Sequence, residues 1–378
     1  MLIKNGLVLT ESGFEKLTIL TDGGKISGIL PADAMVKYSG EVLDAAGNYV
    51  LPALTDVHFH GCAGHDFCEG TAEAFSKIAE YEFSQGVGTI CPATMTLPDE
   101  TLTAILKSVA AYAKVQPKSG AAKLVGVHLE GPFISRAKAG AQNAAHIQPP
   151  SAEKLKHWQA AAEGLIRLVT IAPEIEGAAE CIRACAGDMR FSPGHTQCGY
   201  DEAAAAFEAG ADHVTHLYNA MPPFTHRSPA LIGAAADRSF DGKRVYAEVI
   251  CDGVHLSKSA VRAAFSLFGA DGVVLISDSM EATGMPDGEY QLGGQKVIKR
   301  GSHATLTDGT LAGSVTSLYG CLLKAVEYGI PLETAAKAAT VNPCRSVGID
   351  GFYGSIEVGK AARFLLLDKS DLSIRKVI

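Results

Sequence analysis

From about residue 51 to about residue 278 the chain alternates short apolar, β-branched stretches with Ala-rich amphipathic ones. That alternation marks parallel strands joined by crossover helices, and it leaves few folds open. Strands are predicted near residues 55, 90, 127, 168, 190, 215, 247 and 275. Helices are predicted over 72–85, 100–114, 151–162, 176–186, 201–209 and 257–268. Ser151 and Asp201 stand where N-caps belong, and Gly210 stands where a helix stops. Eight such units make an α/β fold, a (β/α)8 TIM-type barrel, expected over residues 51–349. Further helices are expected over 315–328 and 332–340, the second ended by Asn342-Pro343. A loop over 133–150 is long enough to be a lid or substrate loop, and a Gly-rich stretch over 281–310 reads as an extra hairpin.

The two ends have another texture. Residues 2–10, 17–20, 26–29, 41–44 and 48–50 read as short strands, with Asp22-Gly23-Gly24-Lys25 as a hairpin turn. Residues 354–360 and 364–368 return to that texture. The ends, 1–50 and 350–378, are expected to pair into a small β-sandwich domain beside the barrel.

In such barrels chemistry sits at the C-terminal ends of the strands. Here those ends carry His58 and His60, Glu130, His195, His216, Asp252 with His255, and Asp278. Residues two apart in a strand share a face, so His58 and His60 aim at one point. Taken singly, each has a plain alternative: packed strand histidines, a salt-bridged Glu130, an Asp278 that caps a turn. Repetition at successive strand ends is what packing does not explain. Glu130, His195 and His216 suit a catalytic divalent metal with an open position for water. His58 and His60 could hold a second ion, with Glu130 bridging. Asp278 is placed to take a proton from water and return it to a leaving group. His128 could support Glu130 from the same face. His213 is expected to pack outward or to hydrogen-bond. His65, His146, His157, His226 and His303 have no partner pattern and read as surface or loop residues.

Composition excludes other classes. The net charge of −8 argues against nucleic-acid and anionic-membrane surfaces. No run approaches the roughly 18 apolar residues of a membrane helix. The first residues lack the apolar core of a signal peptide. Nine cysteines, odd in number and scattered, read as reduced buried thiols of a cytoplasmic protein.

Several segments together resemble the amidohydrolase superfamily, and within it the N-acetylglucosamine-6-phosphate deacetylases. They are Leu51-Pro52-Ala53-Leu54-Thr55-Asp56-Val57-His58-Phe59-His60-Gly61, His128-Leu129-Glu130-Gly131-Pro132-Phe133, Gly194-His195-Thr196, Thr215-His216-Leu217-Tyr218-Asn219-Ala220-Met221, Asp252-Gly253-Val254-His255, Ser277-Asp278 and Leu311-Ala312-Gly313-Ser314. The resemblance runs nearly the whole chain. It implies a principal metal on Glu130, His195 and His216, and a second on His58 and His60, so one or two divalent ions per subunit. Zinc comes first, with iron, cobalt and manganese as alternatives. It implies Asp278 as general base and then general acid. A phosphorylated N-acetyl amino sugar would be held by Asn219, Ala220, Arg227 and His255 and covered by Leu311, Ala312 and Gly313, in a pocket completed across a homodimer interface. One stretch departs from the family: Gly140-Ala141-Gln142-Asn143 replaces Gly-Ala-His-Asn, whose histidine touches the acetamido group. Gln142 can hydrogen-bond and help polarise a carbonyl, but it cannot titrate, which opens the choice between gluco and galacto sugars. Rival readings are an amidohydrolase acting on a different amide and a catalytically silent sugar-phosphate sensor. No lysine of the kind that bridges metals in many cyclic amidases ends a strand here.

Overall fold

Parallel strands stand where the apolar stretches predict them in the computed structural model, which describes residues 1–378. They are Leu54–Asp56, Val87–Ile90 with its continuation Ala93–Thr94, Val127–Glu130, Ile166–Ile171, Arg190–Pro193, His213–Val214, Tyr246–Ile250 and Val273–Ile276. Neighbours pair in parallel along three arcs. Backbone bonds join the arcs: Val125 N–H to Ile90 O, Thr215 N–H to Pro193 O, and Asp278 N–H to His58 O. The last of these ties the eighth strand back to the first and closes the ring.

Alternation decides what faces where. Val127, Leu129, Val169, Val214, Ala247, Val249 and Leu275 join the main apolar core under the helices. Their neighbours in the strands face the barrel axis. Four of the helices begin on a hydroxyl cap: Thr71, Ser151, Ser257 and Ser317 each accept a first-turn N–H. The chain's two ends form one continuous set of seven hydrogen-bonded strands around a core of their own, including Ile3, Val8, Ile19, Val50 and Phe364. Within it Tyr49–Pro52 lies antiparallel to Phe364–Leu367 and runs directly into the first barrel strand.

Local expectations differ from the structure in five places. The helix Tyr200–Ala209 is capped at Gly199, whose N–H is taken by Glu202 at 2.7 Å, so Asp201 sits inside the first turn and caps nothing. Asn342 and Pro343 do not end a helix but lie in the first turn of the next, Val341–Ser346, where proline's missing N–H is not needed. Residues 354–360 form turns, tied to the sheet by a bridge between Lys25 and Ala361. The extra hairpin gains a third strand, giving Gly288–Leu292, Gln295–Arg300 and His303–Leu306. The helix Ala230–Phe240 was not anticipated; its Ala- and Gly-rich sequence gives little amphipathic contrast.

The single tryptophan anchors the long loop after the third strand. Trp158 is fully buried, stacks on Phe133 at 5.7 Å, and its indole N–H donates to Asp99 at 2.6 Å. Trp158→Ala is expected to lower unfolding free energy by about 3–5 kcal/mol, read by urea denaturation followed by circular dichroism. A loss below about 1 kcal/mol would show that the loop root does not depend on it.

Candidate active site

At the top of the barrel the backbone turns sharply. His195, His216 and Asp278 have φ of 44°, 28° and 48°. Left-handed backbone is uncommon for residues other than glycine and gathers where a side chain must be aimed. These three residues, with His58, His60 and Glu130, converge.

Glu130 is the hub. Its Oε1 lies 3.0 Å from His195 Nε2, 3.1 Å from His216 Nε2 and 3.3 Å from His58 Nε2. Its Oε2 lies 3.2 Å from His60 Nε2, which is also 3.3 Å from Asp278 Oδ1. His58 is oriented from below, where its Nδ1 meets Glu248 Oε2 at 2.8 Å. That same oxygen accepts the backbone N–H of His216 at 3.0 Å. The other oxygen of Glu248 is 3.2 Å from His213 Nε2. His213 therefore points into the barrel and not outward: Val214 occupies the outer face, and alternation turns its neighbour in. His128 donates to or accepts from Thr170 Oγ1 at 2.8 Å and sets its ring edge against His58.

The donor atoms fit a divalent cation. His195 Nδ1 faces the Lys138 carbonyl at 2.8 Å and must donate to it, so the neutral ring that a cation would need presents its lone pair at Nε2. That lone pair faces Glu130 Oε1 and stands 3.0 Å from His216 Nε2. Converging lone pairs need a positive centre among them. Glu130, His195 and His216 lie within one ion's reach of each other, and His58, His60 and Asp278 form a second such group.

Without a cation, protons take that place. Burial opposes protonation of His60, yet its hydrogen bonds to Asp278 and Glu130 prevail and carry its pKa up to about 9. His58 is likewise raised, burial being outweighed by Glu248 and Glu130. Burial favours a neutral Glu130, but His58 and His195 hold it well below the usual carboxylate range. Asp278 also stays ionised, since the His60 hydrogen bond overcomes burial. Burial and the neighbouring His58 push His128 down to about 3, so it is neutral.

A cavity of about 410 Å³ opens above this cluster. His60, Glu130, His195, His216 and Asp278 line its floor, with Ala141, Gln142, Asn219, Ala220, His255, Leu311 and Gly313 around it. His58 lies beneath, fully buried. His255 turns Nδ1 to Asp252 at 2.8 Å; burial opposes its charge, but the Asp252 hydrogen bond raises its pKa. Two of the expected residues are not brought in. Ala312 is buried behind the wall, its N–H bonded to Ala304 O, because the segment doubles as a strand partner. Arg227 is exposed outside the cavity, against His226 Nε2 at 2.5 Å. Gln142 does line the cavity, but its carboxamide is not free for a substrate carbonyl: its oxygen accepts from Thr96 N–H at 2.6 Å and its nitrogen donates to Glu130 Oε2 at 2.5 Å.

Glu248 and Lys138 were not anticipated. An acid in the middle of the apolar strand Tyr246–Ile250 is a readable signal, since a buried carboxylate demands partners. Lys138 lines the cavity from the long loop and carries no local pattern that marks it.

The sequence profile of the amidohydrolase family matches residues 49–378. N-acetylglucosamine-6-phosphate deacetylase of Bacillus subtilis (strain 168) is 35% identical over 97% of this chain and 93% of its own length. N-acetylgalactosamine-6-phosphate deacetylase of Escherichia coli O157:H7 is 32% identical over 98% of this chain and 95% of its own. Among solved structures, a mutant N-acetyl-D-glucosamine-6-phosphate deacetylase from Mycobacterium smegmatis in complex with N-acetyl-D-glucosamine-6-phosphate superposes with a TM-score of 0.91, at 29% identity, covering 100% of this chain and 97% of that one.

Against burial, Asp278 and Glu130 raise the pKa of His60 to about 9, so it holds a proton at pH 7 in the metal-free protein, and an ion on the His58–His60 side must displace that proton. Cation affinity should therefore rise as pH goes from 7 to 9. Calorimetric titrations of stripped protein in buffers of different ionisation enthalpy should show proton release. Equal heats in all buffers would refute this assignment.

Proposed function

The chain belongs to the amidohydrolase family, and on that footing we propose that it removes the acetyl group of N-acetylglucosamine 6-phosphate, giving glucosamine 6-phosphate and acetate. One observation carries the reading. Asp278, a base held ionised, faces the same cavity as the converged Glu130, His195 and His216, in a chain similar over 97% of its length to such a deacetylase.

In this reading Glu130, His195 and His216 would hold the principal ion and His58 and His60 offer a place for a second, one or two ions per subunit, zinc first among the candidates. A divalent cation there would acidify water and draw charge from a carbonyl, in zinc sites lowering the water pKa to about 7. The chain's own residues do the rest. Asp278 takes one proton from the attacking water as its oxygen bonds to the acetyl carbon. The carbon–nitrogen bond then breaks, and Asp278 hands the proton to the departing amine. Asn219, Ala220 and His255 position the sugar phosphate, and the raised pKa of His255 favours the cationic form that suits a phosphate. Leu311 and Gly313 close over the sugar. Arg227, outside its own cavity, serves a neighbouring protomer's in a homodimer. The barrel, 51–349, is the catalytic domain, and 1–50 with 350–378 form the small domain beside it. Nine unpaired cysteines support a reducing, cytoplasmic setting.

A second reading keeps the chemistry and changes the epimer. The galacto-specific name of the Escherichia coli relative and the glutamine at position 142 favour testing N-acetylgalactosamine 6-phosphate alongside.

Acetate release is the test, with both phosphorylated sugars and unphosphorylated N-acetylglucosamine, before and after chelation. Chelator-sensitive release from N-acetylglucosamine 6-phosphate is expected. Asp278→Asn should lower it by about 10²–10⁴-fold. Full turnover by Asp278→Asn, or none by metal-loaded wild type on any of the three sugars, would defeat the reading.

A further inference from the structure

Gln142 is 5% exposed and wedged between Thr96 and Glu130. Its orientation is not a free choice. The Thr96 N–H donates to one end of the carboxamide at 2.6 Å, so that end is the oxygen. The NH2 end therefore faces Glu130 Oε2 at 2.5 Å, with Met95 Sδ 3.6 Å away on its other side. A flipped amide would set N–H against N–H and oxygen against a carboxylate.

That bond bears on how many cations the site can hold. A carboxylate that serves one ion through Oε1 has a free second oxygen, and a hydrogen-bond donor holds that oxygen in place. A carboxylate that bridges two ions with one oxygen on each gives the second oxygen to the second ion. Oε1 of Glu130 is turned to His195, His216 and His58, and Oε2 to His60 and to Gln142. The amide hydrogen of Gln142 thus competes for the one Glu130 oxygen that does not already face His195 and His216.

We propose that Gln142 sets the cation count: by donating to Glu130 Oε2 it favours one ion, at Glu130, His195 and His216, over two. Gln142 is here a positioning residue that acts through Glu130. The inference rests on the cation reading of the cluster and not on the identity of the substrate. Metal counts therefore test it even where acetate release fails.

The experiment uses full-length protein, stripped by chelation, titrated with zinc, desalted and assayed for metal by atomic emission, with affinities from calorimetry. Wild type is expected to retain one ion per chain and to bind a second at least about 10-fold more weakly. Gln142→Glu keeps an acceptor for Thr96 N–H but loses the donor. Gln142→Met loses both. Both variants are expected to retain two ions, the second tightened about 10-fold or more. Two equally tight ions in wild type would overturn the proposal, as would variants that bind like wild type. A gain in Gln142→Glu alone would assign the effect to added charge and overturn it too. Loss of the first ion from both variants would reduce Gln142 to a support of Glu130 and equally overturn it.

Discussion

The carboxylate of Glu130 is the constraint on which the upper half of this barrel depends. It is 2% exposed and has four imidazole nitrogens within 3.3 Å. A buried carboxylate is tolerated only when paired, and breaking such a pairing is costly because the remaining charge has nowhere to go. In the metal-free protein the pairing is supplied by protons on His58 and His60. The same nitrogens would be free for a divalent cation once those protons leave. The cluster thus requires positive charge, carried by protons or by a cation.

Holding that charge in one place requires the strands beneath to be rigid. Glu248 does this from the seventh strand. Its Oε2 both orients His58 and accepts the N–H of His216, so one buried acid ties together histidines 158 residues apart in sequence. The left-handed turns at His195, His216 and Asp278 are the complement: each strand ends abruptly so that its last side chain swings over the barrel axis. Such turns persist only where the surroundings hold them. The bonds from Asp278 N–H to His58 O and from Ser314 N–H to Asp278 O do so at the eighth strand.

How much of this was legible in the sequence depends on which physical signal each feature leaves. The barrel was legible because alternation of apolar and amphipathic stretches is a long-range pattern that survives local errors. His58, His60, Glu130, His195, His216 and Asp278 were legible because each ends an apolar stretch. Glu248 was hidden by the same logic, since it sits inside the stretch and not at its end. Asp201 as a cap failed because the helix begins one residue earlier, with Gly199 as its cap and Glu202 reaching back to the Gly199 N–H. The place of Arg227 could not be read, because its exposed loop carries no periodicity to fix it. Gln142 was identified as a departure, but its partner was not, because a contact between residues 130 and 142 across a loop leaves no spacing rule.

The charge pattern completes the picture. A chain with net charge −8 repels anions at long range, yet its cavity presents Lys138 and a raised-pKa His255. At physiological ionic strength fields are screened beyond about 8 Å, so the overall charge matters little to a ligand already at the mouth. Attraction is then decided by groups inside the cavity, where burial weakens the screening. Both line the cavity, while the carboxylates of Glu130 and Asp278 are paired with imidazoles. An anionic group is therefore drawn to Lys138 and His255, and a neutral, polarisable one is left to meet the histidine–carboxylate cluster. A molecule with a phosphate at one end and an amide at the other fits that polarity, whichever way its sugar hydroxyls point.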